Sequence, residues 1–345
     1  MRRYLIGRQQ QHLFEPCPDP TAVLTYLCTA LKMGFYSIVF CLAVVLLIFY
    51  LARALYYVSP FHPLSRFPGP WYASVGYFCE AFYDSWWYKG QYTNVIKRWH
   101  EIYGPIIRIN PHELHCSEPG FGDQIYNGER DKWEHQLNTG SGAVKETFFS
   151  EINHKRHSTL KTPIAMYFSP AQVARREDDI YELCKELVEQ MLTLAGKEPF
   201  DVKNCFDSLT ADIISMYIFG APMGFVVRGD FENNFASWTA SFFEIAYPMR
   251  HNPLLRQFIR VMPVFAPILG KDIQAVMRVM NITIPELIDA ARKHPKNGGM
   301  FGDLMANKSS SFLKDNMKRL SGEGFNFMLA GTETTSVRYD PKDVE

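Results

Sequence analysis

Residues 34–52 run for nineteen positions without a charged side chain. They include Ile38-Val39-Phe40-Cys41-Leu42-Ala43-Val44-Val45-Leu46-Leu47-Ile48-Phe49-Tyr50-Leu51. About 20 apolar residues in helical form cross the ~30 Å hydrocarbon core of a bilayer. The stretch therefore predicts one transmembrane helix, taken as residues 33–58, with Arg53 snorkelling at its exit and Tyr56 and Tyr57 at the interface. A secretory signal peptide has a shorter apolar core and a small-residue cleavage site, which is not evident here. A buried helix of a soluble protein is the other reading of the same composition. Lys and Arg are similarly frequent on both sides, so charge does not orient the segment. Residues 1–32 carry little pattern and read as an extension.

The remaining chain is long enough for a large core: the whole has 345 residues. Lys+Arg and Asp+Glu number 36 each, so there is no basic excess of the kind nucleic-acid binding uses. Aromatic residues make up 14%, which argues against disorder. The seven cysteines (Cys17, Cys28, Cys41, Cys79, Cys116, Cys184, Cys205) are scattered, odd in number and never spaced Cys-x-x-Cys. That pattern fits reduced thiols and neither a disulfide framework nor a zinc site.

Behind the apolar run, Pro60, Pro63, Pro68 and Pro70 stiffen residues 59–71 into an elbow, because each proline fixes φ and removes a backbone donor. Val95, Trp99 and Ile102 recur at helical spacing, and Gly104-Pro105 ends that helix. Residues 106–115 read as two short strands about an Asn110-Pro111 turn. Residues 117–150 are irregular and glycine-rich. Ile180, Leu183, Leu187, Met191 and Leu194 mark an amphipathic helix closed by Gly196. Phe206, Leu209, Ile213 and Tyr217 mark a second one, closed by Gly220. Residues 221–270 hold aromatic and proline-rich pieces such as Phe242-Phe243, Tyr247-Pro248 and Phe258 to Leu269.

The chemistry-bearing run is Phe325-Asn326-Phe327-Met328-Leu329-Ala330-Gly331-Thr332-Glu333-Thr334-Thr335-Ser336. A glycine inside a helix costs roughly 1 kcal/mol relative to alanine, and close approach of a flat cofactor or a small gas is one reason to have it. Glu333 and Thr334 then place a carboxylate beside a hydroxyl, a couple able to relay protons. A fraying helix end with polar turn residues is the plainer reading.

This run resembles the central helix of the cytochrome P-450 family, whose pattern is Ala/Gly-Gly-x-Asp/Glu-Thr-Thr. Tyr103-Gly104-Pro105-Ile106-Ile107-Arg108-Ile109 resembles the entry to that family's small β-sheet. The proline elbow is similar to the hinge behind the membrane anchor of its microsomal members. Counting back from Phe168-Ser169, His157 and Lys161 fall where the family clamps the haem propionates. A lysine there replaces the usual arginine and loses the bidentate fork. Phe148 and Phe149 fall in the loop that covers the substrate pocket, and residues 221–270 fall in its roof.

The resemblance implies a mainly α fold with a small β-sheet, the N-terminal part of the cytochrome P-450 fold preceded by one transmembrane helix. Residues 72–336 would form an incomplete catalytic domain and residues 337–345 a divergent tail. It implies haem as cofactor, Glu333 and Thr334 as catalytic, and Ala330, Gly331, His157 and Lys161 as cofactor-binding. The implied partners are an NADPH-cytochrome reductase, an apolar small-molecule substrate and a membrane, with no nucleic acid. The implied place is the endoplasmic reticulum membrane, with a single pass and the catalytic part facing the cytosol. The implied reaction is monooxygenation, in the style of filamentous-fungal secondary metabolism. The family's Glu-x-x-Arg helix, its second Arg motif and its Phe-x-x-Gly-x-x-x-Cys-x-Gly loop, which carries the thiolate ligand, are each missing from these residues. A C-terminally truncated and inactive member is therefore expected. The competing expectation is a non-catalytic, membrane-anchored remnant that binds an apolar ligand or partner without haem.

Overall fold

The computed structural model describes residues 20–86, 90–132, 144–197, 199–240, 270–306 and 316–336, with side chains from residue 31. The expected extension up to residue 19, most of the roof segment (residues 241–269) and the tail 337–345 lie outside the described residues. The chain forms two units: residues 1–79 with 96–117, and residues 80–95 with 118–345.

The first unit is dominated by helix α1 (Pro20–Val58). It begins well before the expected anchor, because residues 20–32 are rich in the strong helix formers Ala and Leu. Leu31–Val58 is long and apolar enough to cross a membrane, and none of its most apolar stretch is buried by the rest of the chain. Helix α2 (Trp71–Val75) follows the prolines, and helix α3 (Tyr92–Tyr103) belongs to this unit from Ile96 onward. The buried face of α3 is Tyr92, Ile96 and Trp99, while Ile102 is 71% exposed. The expected stripe of Val95, Trp99 and Ile102 was therefore displaced by a fraction of a turn. Both sets satisfy helical spacing; the aromatic Tyr92 adds a third buried anchor.

Strands β1 (Ile106–Arg108) and β2 (Leu114–Cys116) pair antiparallel, with Ile107 opposite His115, as the Asn-Pro turn predicted. Arg108 is buried, and its guanidinium is spent on backbone carbonyls: Tyr57 O at 2.9 Å, Pro111 O at 2.9 Å and Asn110 O at 3.3 Å. The first of these ties the end of α1 to the hairpin. Tyr57 Oη also meets His112 Nε2 at 3.0 Å. The elbow lies against β1, where Arg108 N–H donates to Pro68 O at 2.7 Å. A Cβ at Gly69 would stand 2.4 Å from Arg108 O, so only glycine allows that approach.

The second unit is helical. Its labelled helices are α4 (His154–Ala165), α5 (Glu177–Leu194), α6 (Val202–Phe219), α7 (Phe225–Arg228), α8 (Lys271–Arg278), α9 (Ile284–Lys293), α10 (Gly299–Ala306) and α11 (Met317–Ser336). The α5 stripe holds at Leu183 and Leu187; of the four expected on α6 only Leu209 is fully buried, Phe206, Ile213 and Tyr217 are half-buried, and Cys205 and Met216 complete the shared core cluster. A larger cluster joins Ile218, Phe219, Phe235, Ile284, Ile288, Phe301, Leu320, Phe325 and Met328. Helix α6 ends at Gly220, whose φ of 81° is left-handed. A Cβ there would lie 1.8 Å from Asn297 O, so both conformation and space demand glycine. Asp212, fully buried on α6, accepts from Val226 N–H at 2.9 Å and so holds the start of α7. Burial pushes its carboxyl up, and the backbone N–H groups of residues 224–226 pull back against that.

Candidate functional site

Helix α11 changes character along its length. Residues from Arg319 to Met328 are buried, whereas Ala330, Glu333, Thr334 and Thr335 are exposed. Ala330 and Thr334 are one turn apart and share a face. Thr334 Oγ1 donates to Ala330 O at 2.6 Å, which leaves the hydroxyl lone pairs facing outward. Glu333 stands next to it, also exposed.

The neighbouring face is closed by α6. A Cβ at Gly331 would lie 2.8 Å from Ile214 Cγ1 and 3.1 Å from Ile214 Cβ. Thr332 is buried, and its carbonyl accepts from Thr210 Oγ1 at 3.0 Å. The gap expected at Gly331 for a flat cofactor or a gas is thus filled by an isoleucine side chain. The glycine serves helix–helix approach, and the open surface belongs to Ala330 and Thr334. Sequence reasoning missed Ile214 and Thr210, because their partners lie more than a hundred residues downstream.

On α4, Asn153 caps the helix through its side chain, accepting from Arg156 N–H at 3.1 Å. His157 and Lys161 follow at one-turn spacing, with Lys161 exposed and His157 half-buried. Burial, then the cations Lys132, Lys161 and His154, hold the His157 imidazole below its ordinary range, against the weaker opposing pull of Glu151. Lys132 is likewise lowered by burial and by Lys161. Lys132 and Lys161 make a positive pair beside the uncharged imidazole of His157, and neither lysine pairs with a carboxylate at ion-pair distance among the described residues. Lys132 gave no signal in the sequence, since a lone lysine between loops has no periodicity to mark it. Phe148 links this cluster to α11: its ring centroid lies 6.1 Å from that of His157 and 5.8 Å from that of Phe327. Phe149, in contrast, is 53% exposed.

Above the open strip, α11 carries a buried polar row that the sequence reading did not single out. Arg319 and Glu323 pair at 3.5 Å, 5% and 1% exposed. Glu323 Oε1 accepts from Phe148 N–H at 2.8 Å, and Asn326 Nδ2 donates to Thr147 Oγ1 at 2.9 Å. Burial pushes the Glu323 carboxyl up to about 7, against the pull of Phe148 N–H and Arg319. An i,i+4 Arg/Glu spacing ordinarily marks a solvated helix face. Here it is enclosed because residues 144–150 lie over it.

The exposed residues of α11, not the closed face at Gly331, are the ones that could meet a haem. Ala330 offers a small side chain where a ring edge would approach, and an exposed hydroxyl–acid couple lies beside it. Lys132 and Lys161 would supply the positive charge that the two propionates need, with His157 beside them. Buried Cys205 has a thiol pushed up to about 11, and burial also raises Cys184, so both behave as core thiols and not as thiolates.

The cytochrome P450 family model matches residues 121–338. The chain is 30% identical to cytochrome P450 monooxygenase ppzE of Metarhizium majus over 289 residues, covering 80% of this chain and 59% of that protein. It is 31% identical to conidiogenone synthase PchP450 of Penicillium rubens, covering 81% and 58%. It is 28% identical to tryptophan 6-hydroxylase fscE of Fusarium equiseti, covering 80% and 56%. The described residues are mainly helical with one two-stranded antiparallel sheet. The chain belongs to the cytochrome P450 family, and it spans just under three fifths of the length of these curated relatives.

Two predictions follow from the packing and charge of α11. Gly331→Ala gains about 1 kcal/mol of helix propensity but meets Ile214, and overpacking typically costs about 1–3 kcal/mol. A net loss of about 1 kcal/mol is expected in denaturant unfolding. In an Ile214→Ala background the same change should become stabilising by about 1 kcal/mol; no sign reversal would refute the contact. Glu323 titrates near 7 when folded, above its ordinary 4.5. Its contribution to stability is therefore complete below about 4.5 and is lost as pH rises through 7, by up to about 3 kcal/mol. Unfolding free energy compared between the wild type and Glu323→Gln across this window should show the fall in the wild type alone.

Proposed function

We propose that the chain carries the oxygen-side wall of a haem-thiolate monooxygenase that hydroxylates an apolar small molecule. The observation that supports this best is the uncovered Ala330–Thr334 strip, on a helix otherwise buried, with Glu333 beside it. When bound, haem would supply the activation of dioxygen. The protein's part is to bind, orient and move protons. Thr334 Oγ1 presents lone pairs to a hydrogen-bond donor, and on rotating off Ala330 O it presents its proton to an acceptor. Glu333, exposed at the next position, can exchange protons with water and restore them to the hydroxyl. Lys132 and Lys161 would pair with the two carboxylates of the cofactor, and the uncharged His157 imidazole would donate a hydrogen bond to one of them, so that together they would fix its orientation.

The apolar helix Leu31–Val58 supports a single-pass anchor. The reading places it in the endoplasmic reticulum membrane, residues 59–71 as the hinge and the body in the cytosol. There an NADPH-cytochrome reductase would deliver electrons. The names of the relatives include a conidiogenone synthase and a tryptophan 6-hydroxylase. They support secondary metabolism as the setting and small organic molecules as the substrate class, with a terpenoid as one member of it.

Because these 345 residues include no cysteine loop, activity is tested in a chimera that joins residues 1–336 to the C-terminal part of a relative such as PchP450. Thr334→Ala should lower product formed per NADPH roughly 100-fold and raise hydrogen peroxide release. Unchanged coupling would remove Thr334 from the mechanism. Lys132→Ala with Lys161→Ala should weaken haem retention about tenfold, followed by Soret absorbance on competition with apomyoglobin. A chimera that takes up no haem at all would favour the non-catalytic remnant.

A further inference from the structure

Residues 144–150 are fastened along the first turns of α11 at three levels. The carboxylate of Glu146 accepts from Asn316 Nδ2 and Lys318 Nζ, each at 3.0 Å. Thr147 Oγ1 accepts from Asn326, and Phe148 N–H donates to Glu323. The Glu146 contacts are solvent-exposed and therefore screened. The other two are enclosed. Glu323 is fully buried, and its Oε2 has no partner among the described residues.

A buried ion pair is weak support for a helix on its own account. Desolvating both charges often costs more than their attraction returns, and an apolar pair of similar volume is commonly as stable. The 3.5 Å separation of Arg319 and Glu323 is also too long for a strong hydrogen bond. What the pair does supply is a carboxylate oxygen at the point where the backbone N–H of Phe148 arrives. Arg156 acts on Arg319 from α4 by repulsion, and Glu146 acts on it by attraction.

We infer that Glu323 is a positioning residue: it clamps residues 144–150 to α11, with Arg319 as its counter-charge, and so holds the Phe148 ring between Phe327 and His157. Phe327 lies two turns before Thr334 on nearly the same face, and His157 stands beside the Lys132–Lys161 pair. The clamp therefore sets the distance between the hydroxyl–acid couple and the groups that would anchor a cofactor. Its bearing on catalysis rests on the function proposed above. The clamp itself does not, and it is tested in the chain without haem.

The measurement is amide hydrogen exchange at Phe148 in the 345-residue chain in detergent micelles, with Ile213 to Phe219 of α6 as the reference for an intact fold. Replacing the pair by Arg319→Leu with Glu323→Leu should leave the melting temperature equal or higher. It should also speed exchange at Phe148 at least tenfold. Arg319→Leu with Glu323→Gln keeps an oxygen acceptor without charge and should restore most of the protection. Equal protection in both double variants, or an unprotected Phe148 in the wild type, overturns the clamp. If the α6 amides open in the double variants, Glu323→Gln alone is read instead, and full exposure of Phe148 there also overturns it. Haem uptake or turnover failing in the chimera while Phe148 stays protected would sink the functional reading and leave the clamp standing.

Discussion

How closely α6 and α11 approach decides what the rest of the second unit can present. Gly324 and Gly331 are seven residues apart and lie on one face of α11. A Cβ at Gly324 would come 2.9 Å from the Phe219 ring and 3.0 Å from Ile284, and Gly331 meets Ile214 in the same way. The order of the contacts, 219 with 324 and 214 with 331, makes the two helices antiparallel. Each glycine costs about 1 kcal/mol of helix propensity. Burying the facing parts of Phe219 and Ile214 returns about 1.5–3 kcal/mol per side chain when burial is complete. Thr210 adds a hydrogen bond to the carbonyl of Thr332. With that face committed to α6, the helix has one orientation left. Ala330 and Thr334 must point away from the core.

The same helix is divided between two kinds of interaction. Toward α6 and α9 it packs apolar groups, and α10 joins the same cluster through Phe301, stacked on Phe219 of α6 at 5.4 Å. Toward residues 144–150 it uses Arg319, Glu323 and Asn326. Apolar packing sets where the helix axis lies; polar bonds select which irregular segment covers it. An irregular segment cannot bury much apolar surface, and its backbone N–H groups need acceptors when enclosed. Phe148 N–H finds its acceptor on the helix. The open strip begins where this cover ends.

Much of the architecture was legible in the residues. The uncharged run at 34–52, the Asn-Pro hairpin and the 3.6-residue periods of α5 and α6 each carry a local physical signature. The Ala330 to Thr335 motif pointed to the right family. What local pattern could not give was partnership. It showed that Gly331 needed a close neighbour but not that the neighbour was Ile214. It showed basic residues on α4 but not that Lys132 joins them from a separate loop. Arg319 and Glu323 have the spacing of a solvated pair, and only the cover of 144–150 makes them interior. On α3 the period was right and the phase was not, because Ile96 and Ile102 are equally apolar and only tertiary contacts choose between them.

The hydrogen bond from Thr334 to the Ala330 carbonyl connects the fold to the chemistry most directly. In a helix that carbonyl already receives the backbone N–H of residue 334. The added hydroxyl therefore shares an acceptor that has a partner, and giving it up leaves no buried group unsatisfied. A hydrogen bond of this kind is worth about 1 kcal/mol net, an amount thermal motion supplies readily at an exposed position. Thr332, one turn-face away, shows the contrast. Its hydroxyl is bound to Met328 O in the same geometry but is buried against α6, so it has nowhere to turn. Two threonines with the same local bond thus differ in what they can do, and the difference is set by the close approach at Gly331.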